Sequence, residues 1–128
     1  MKAYPSIPHI LDFHIGKPYI AFDKIDGSNL RFEFNHKTGF NKFGTRTQLM
    51  SDDSDFMIGK ELFMNKYSED LSRIFFTKDF RNHKTITVYA ELIGEDSFAG
   101  YHDFKKDLNL VLFDIWLYKK GFVEPNEF

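Results

Sequence analysis

The sequence predicts an α+β domain built on antiparallel sheet, and three features lead to that expectation. Segments of alternating polarity lie on both sides of a stretch with helical spacing, regular βαβ alternation is absent, and 16 phenylalanines supply large flat side chains for a mixed core. At 128 residues the chain fits one domain, 1–128, able to bury a core without staples.

Residues 18–24 form a short apolar stretch ending at Lys24. After Asp26-Gly27-Ser28, Leu30, Phe32 and Phe34 alternate with Arg31 and Glu33, the pattern of a half-buried strand, so the two segments read as a hairpin. The stretch "NHKTG" is a second turn in which Gly39 can take positive φ, and "FNKFGTRT" returns as a third strand.

Helical spacing follows in Phe56, Leu62, Phe63 and Tyr67, then Leu71, Ile74 and Phe75. Residues 52–55 and Ser68-Glu69-Asp70 supply start signals, so one or two helices are expected. In "KTITVYAELI" one face collects Ile86, Val88, Ala90 and Leu92, which leaves Glu91 on the more polar face with Thr87 and Tyr89. "LNLVLFDIWLY" is apolar on both faces, as in a strand between layers, and "YKKGFV" is a hairpin turn opening another strand. "EDSFAGYHDF" reads as a polar surface loop.

Composition excludes several classes. With 17 basic against 19 acidic residues the chain lacks the basic excess of an electrostatic nucleic-acid binder, so any polynucleotide must be held by a local patch. The absence of cysteine excludes disulfides, thiol chemistry and Cys-containing metal sites, and suits a cytoplasmic location. The five histidines show no ligand spacing, so no metal ligands are assigned. The first 20 residues contain three prolines, two histidines and an aspartate, unlike a signal peptide. No apolar run approaches the ~20 residues that span a bilayer. Both glycine-rich phosphate loops, G-x-G-x-x-G and G-x-x-x-x-G-K-[ST], are missing.

The stretch "KIDGSN" concentrates chemistry: a lysine ends an apolar strand, a glycine permits close approach to a ligand, and Ser28 and Asn29 add polar side chains. An Asp-Gly pair is also a common hairpin turn, and Lys24 could be a solvated charge. Taken with "KFGTRT", "YAELIGE" and "LVLFDIW" in that order, however, it resembles the covalent nucleotidyltransferases: ATP-dependent RNA and DNA ligases and messenger-RNA capping enzymes. The family's first motif is K-x-D-G. Asn29, two residues after the glycine, matches the RNA ligase 2 and RNA-editing ligase branch, where DNA ligases and capping enzymes commonly carry arginine. The four matches run from residue 20 to 118.

The resemblance implies a ligase-type nucleotidyltransferase fold, Lys24 as the catalytic nucleophile toward ATP, and nucleotide contacts from Asp26, Gly27, Asn29, Arg46, Glu91 and Phe113. In this family the arginine approaches the nucleotide, the glutamate accepts from the ribose hydroxyls and the phenylalanine stacks on adenine. These roles suit the residue types. A nucleophilic lysine needs a depressed pKa, a guanidinium matches phosphate oxygens, an ionised carboxylate only accepts, and base stacking contributes ~1–3 kcal/mol. Implied cofactors are ATP, with AMP as the covalent intermediate, and Mg²⁺. The implied partners are an RNA 5′-phosphate and a 3′-hydroxyl.

Two later family motifs, E-G-hydrophobic-V and K-x-K, do not occur in these residues, and Lys119-Lys120 reads as a solvated pair. The chain therefore resembles the first half or so of an adenylyltransferase domain, incomplete at its C-terminal side. An unpaired sheet edge is expected, open to self-association or to a partner chain completing the sheet. The alternatives are an inactive nucleotide- or RNA-binding remnant of the fold and a DNA ligase or capping-type enzyme.

Overall fold

Strand formation begins where the alternation predicts it. In the computed structural model, which describes residues 2–5, 27–46, 48–50, 56–94 and 107–123, strand β1 covers Ser28–Asn35. Strand β2 (Gly39–Thr45) returns beside it through a turn in which Gly39 takes a φ of 74°. Helices α1 (Met57–Lys66) and α2 (Ser68–Phe75) follow, then strands β3 (Thr85–Gly94), β4 (Leu108–Leu117) and the short β5 (Gly121–Phe122). The described strands form one sheet in the order β2-β1-β3-β4-β5, antiparallel throughout. The expected strand over 18–24 and the loop 95–104 lie outside the described residues.

The two helices cover one face of this sheet. Leu30, Phe32 and Phe34 of β1 and Ile86, Val88, Ala90 and Leu92 of β3 point to that side, and all seven are fully buried. Phe63 of α1 stacks on Phe32 with ring centroids 3.9 Å apart and planes 6° from parallel, and Phe75 of α2 meets Phe34 at 5.3 Å. Fully burying one such side chain contributes roughly 1.5–3 kcal/mol, so the aromatic layer dominates the packing. Gly59 lies against β1: a Cβ there would meet the end of the buried Leu30 side chain, so a larger residue would require that leucine to shift or α1 to move outward. Tyr67 donates its hydroxyl to the Leu110 carbonyl at 2.8 Å, tying the junction of the helices to β4.

Helix α2 starts at Ser68 with Glu69 and Asp70 in its first turn, as the start signal predicts, although the Ser68 hydroxyl donates back to the Met64 carbonyl at 2.7 Å, bridging the break between helices. One local expectation is corrected. Arg31 and Glu33 are not on a solvated face, being only 6% and 8% exposed. Alternation separates the two sides of a strand but cannot tell a solvated polar side from a covered one.

The sheet's edges are unequal. β5 pairs only with Trp116 and Leu117, so the outer edge of β4 over residues 108–114 has no strand beside it among the described residues. No described helix is long and apolar enough to cross a membrane.

Candidate nucleotide site

The face opposite the helices carries the polar residues of the sheet. Asn29 and Glu91 are directly opposed in the β1–β3 ladder, and Arg31 and Tyr89 form the next outward-facing pair along it. Opposed residues of an antiparallel pair project to the same side, so all four side chains share this face.

Phe113 joins them through an irregularity. Tyr89 pairs with Asp114 whereas Ala90 pairs with Leu112, which leaves Phe113 as the extra residue of a β-bulge. A bulge re-aims side chains and often stands beside a site. Here it brings the Phe113 ring within reach of Tyr89, with centroids 6.4 Å apart.

Gly27 brings the start of β1 close to β3. A Cβ at Gly27 would run into the Leu92 carbonyl oxygen and crowd Ile93 and Glu91, so the room left by glycine is taken by the neighbouring strand rather than by a ligand. The K-x-D-G glycine thus places the chain just after Lys24 and Asp26 against Glu91. Lys24 and Asp26 themselves lie outside the described residues.

Arg46 follows the last residue of β2, and Thr45 pairs with Leu30, so the arginine stands at the end of the sheet that carries Asn29. It is exposed, and among the described residues it makes no hydrogen bond or ion pair. The structure therefore brings Gly27 and Asn29 to Glu91, sets Phe113 on the same face beside Tyr89 and leaves Arg46 at the margin.

An N-terminal segment covers part of the face. Tyr4 packs at steep angles on Tyr89, Phe113 and Phe122, with ring centroids 4.9, 5.0 and 5.4 Å away. Its hydroxyl donates to Asp114 Oδ2 at 2.8 Å, while Tyr89 donates to the Lys2 carbonyl at 2.6 Å. Burial raises the pKa of both phenols, and at Tyr4 the Asp114 hydrogen bond adds to this, so both remain donors at neutral pH. Burial also raises the Asp114 pKa, against the lowering effect of hydrogen bonds from Tyr4 and from the Ile115 amide. Asp114 stands out in the sequence as a lone carboxylate in an apolar strand. Tyr4 gives no such signal, because its partner is 110 residues away.

One feature of this face points to a ligand. Asn29 Oδ1 is shielded from solvent and has no hydrogen-bond partner among the described residues. A buried orphan acceptor costs roughly 1–3 kcal/mol, and a donor from a bound molecule would satisfy it. Glu91, a carboxylate, lies directly opposite it and Phe113 adds an aromatic ring to the same face, residue types that suit hydroxyls and a base. No group of three or more metal-ligating side chains occurs among the described residues, and no metal ligand is assigned.

Residues 17–128 match the family model described as RNA ligase. The chain belongs to the RNA ligase family. This RNA ligase family member also shares its fold with an RNA ligase of Naegleria gruberi, solved as a lysine-to-alanine mutant with ATP and Mn, at a TM-score of 0.56 and 19% identity. The match covers 81% of this chain and 28% of that one, so the chain spans little more than a quarter of the solved ligase. No curated protein matches it.

Proposed function

We propose that the chain carries the nucleotide-binding part of an ATP-dependent RNA ligase. The observation that carries this reading is the direct opposition of Asn29 and Glu91, with Phe113 bulged onto the same face. Residues from three separated motifs thereby share one face of the sheet, which supports the reading, and the family match covers the same stretch of chain.

In this reading the Lys24 amine attacks the α-phosphate of ATP, forming a phosphoramidate to AMP as pyrophosphate leaves. AMP then passes to an RNA 5′-phosphate, and an RNA 3′-hydroxyl displaces it, closing a phosphodiester and releasing AMP. Glu91 and Asn29 hold hydroxyl and amide groups of the nucleotide, Phe113 receives the base, and Asp26 and Gly27 fix the loop that presents Lys24. Arg46, at the margin, moves onto phosphate oxygens when nucleotide binds. A divalent cation, Mg²⁺ in this reading, would neutralise phosphate charge during transfer. Asn29 favours RNA over DNA ends, as in the RNA ligase 2 branch. The open outer edge of β4 suits a strand from further chain or from a second copy, and the lack of cysteine suits the cytoplasm.

Intact-protein mass spectrometry after incubation with ATP and Mg²⁺ tests the reading, with Lys24→Ala alongside. A gain of one AMP in the parent protein and none in the variant is expected. No gain in folded parent protein that still binds ATP would leave a nucleotide-binding remnant in place of a ligase.

A further inference from the structure

We propose that a basic cleft at the far end of the sheet binds the phosphodiester backbone of an RNA arm, a contact that rests on the RNA ligase reading of the chain. The cleft, of about 360 Å³, is lined by Asn82, His83, Lys84, Tyr118, Lys119 and Lys120. It joins two turns that are distant in sequence: His83 Nδ1–H donates to the Tyr118 carbonyl at 3.1 Å, and the Tyr118 amide donates to Thr85 at 3.1 Å. Three lysines thus share one concave surface in a chain whose formal net charge is -2. All three are exposed, and among the described residues none has a carboxylate within ion-pair distance.

The backbone supplies a second observation. Lys119 has a φ of 69°, the left-handed region that glycine or asparagine occupies at lower cost, and it is the one such non-glycine among the described residues. The turn thus holds a cation where the backbone alone would favour a smaller residue, a form of strain that gathers at ligand contacts. Tyr118, 38% exposed, lies beside it with the Lys119 ammonium 5.7 Å from its ring, so an aromatic face accompanies the positive charge. Three cations spread over one concave surface match the repeated phosphates of a nucleic-acid backbone better than they match an isolated small anion.

Position defines what the cleft can contact. Lys84 immediately precedes β3 and Glu91 lies within it, seven residues on, which at ~3.3 Å per residue puts the cleft about 23 Å from Glu91. At ~2.8 Å per step of an A-form RNA duplex this corresponds to about eight base pairs, so the cleft contacts an RNA arm well away from the joined ends.

Fluorescence anisotropy with nicked RNA duplexes, their arms closed by hairpin loops and either about 4 or about 12 base pairs long, tests the assignment. The triple variant Lys84→Gln, Lys119→Asn and Lys120→Gln removes the charges while asparagine keeps the left-handed turn. For long arms the variant should bind at least about tenfold more weakly at ~0.1 M salt, and its slope of log affinity against log salt should fall by about 2 to 3. Short-armed duplexes should bind parent and variant alike, and AMP attachment should be unchanged. Unaltered affinity and slope for long arms would overturn the cleft assignment, as would failure of the parent protein to bind RNA. Loss of AMP attachment in both proteins, with the anisotropy difference intact, would instead sink only the ligase chemistry.

Discussion

Asn29 and Glu91 face each other across the β1–β3 ladder, and the Asn29 side-chain oxygen is buried without a partner among the described residues. Asn29→Ala removes an unsatisfied acceptor, so folding stability should change by less than about 1 kcal/mol in either direction. ATP affinity should fall about five- to tenfold, the worth of one hydrogen bond. Asn29→Asp should instead destabilise by about 1 kcal/mol or more, because it sets a second carboxylate opposite Glu91. Urea titrations and calorimetric ATP binding on the same samples separate the two effects; a large stability loss in the alanine variant would show that the oxygen is satisfied within the protein.

Gly27 makes a different demand. Because its Cβ position is filled by the Leu92 carbonyl, Gly27→Ala must push β1 away from β3 or shift the chain before it. Such overpacking typically costs 1–3 kcal/mol, and the displacement should reach Lys24 and reduce AMP attachment more than ATP binding. A variant with parent-like midpoint and full AMP attachment would contradict this contact.

The Phe32–Phe63 stack joins α1 to β1 through two fully buried rings. Phe63→Ala should lower stability by about 3–5 kcal/mol, and Phe63→Leu by less, since leucine refills part of the volume. Thermal unfolding would show a loss of more than ten degrees for alanine; a shift of one or two degrees would mean that α1 contributes little to the fold.

Much of this architecture is legible in the sequence. Leu30, Phe32 and Phe34, and Ile86, Val88, Ala90 and Leu92, announce their shared face by period alone, and each is buried there. Glu91 falls on the polar side for the same reason. Its meeting with Asn29 is not legible, because register depends on how two strands about 60 residues apart align. The bulge at Phe113, the contact of Tyr4 with Asp114 and the joining of Lys84 to Lys119 and Lys120 are likewise long-range, and the last turns a pair that reads as solvated into one side of a cleft. Burial of Arg31 escapes the pattern because polarity records which side a residue is on, not what covers it.

Asp114 should make stability depend on pH in an unusual direction for a carboxylate. Burial raises its pKa above the ordinary 3.8, so the folded protein holds this proton to higher pH than the unfolded chain does. Stability from this group is complete below the unfolded value and declines as pH rises through the folded one. Asp114→Asn cannot ionise; it keeps the acceptor for the Ile115 amide and can reverse the bond to Tyr4. Relative to the parent it should gain stability as pH rises from below 3.8 to neutrality. Tyr4→Phe has the opposite effect: it removes a donor from the ionised carboxylate, costs about 1–2 kcal/mol at pH 7, and costs less once Asp114 is protonated. Urea midpoints of the three proteins between about pH 3.5 and 7.5 test both signs, and parallel curves for all three would show that Asp114 titrates alike in folded and unfolded chains.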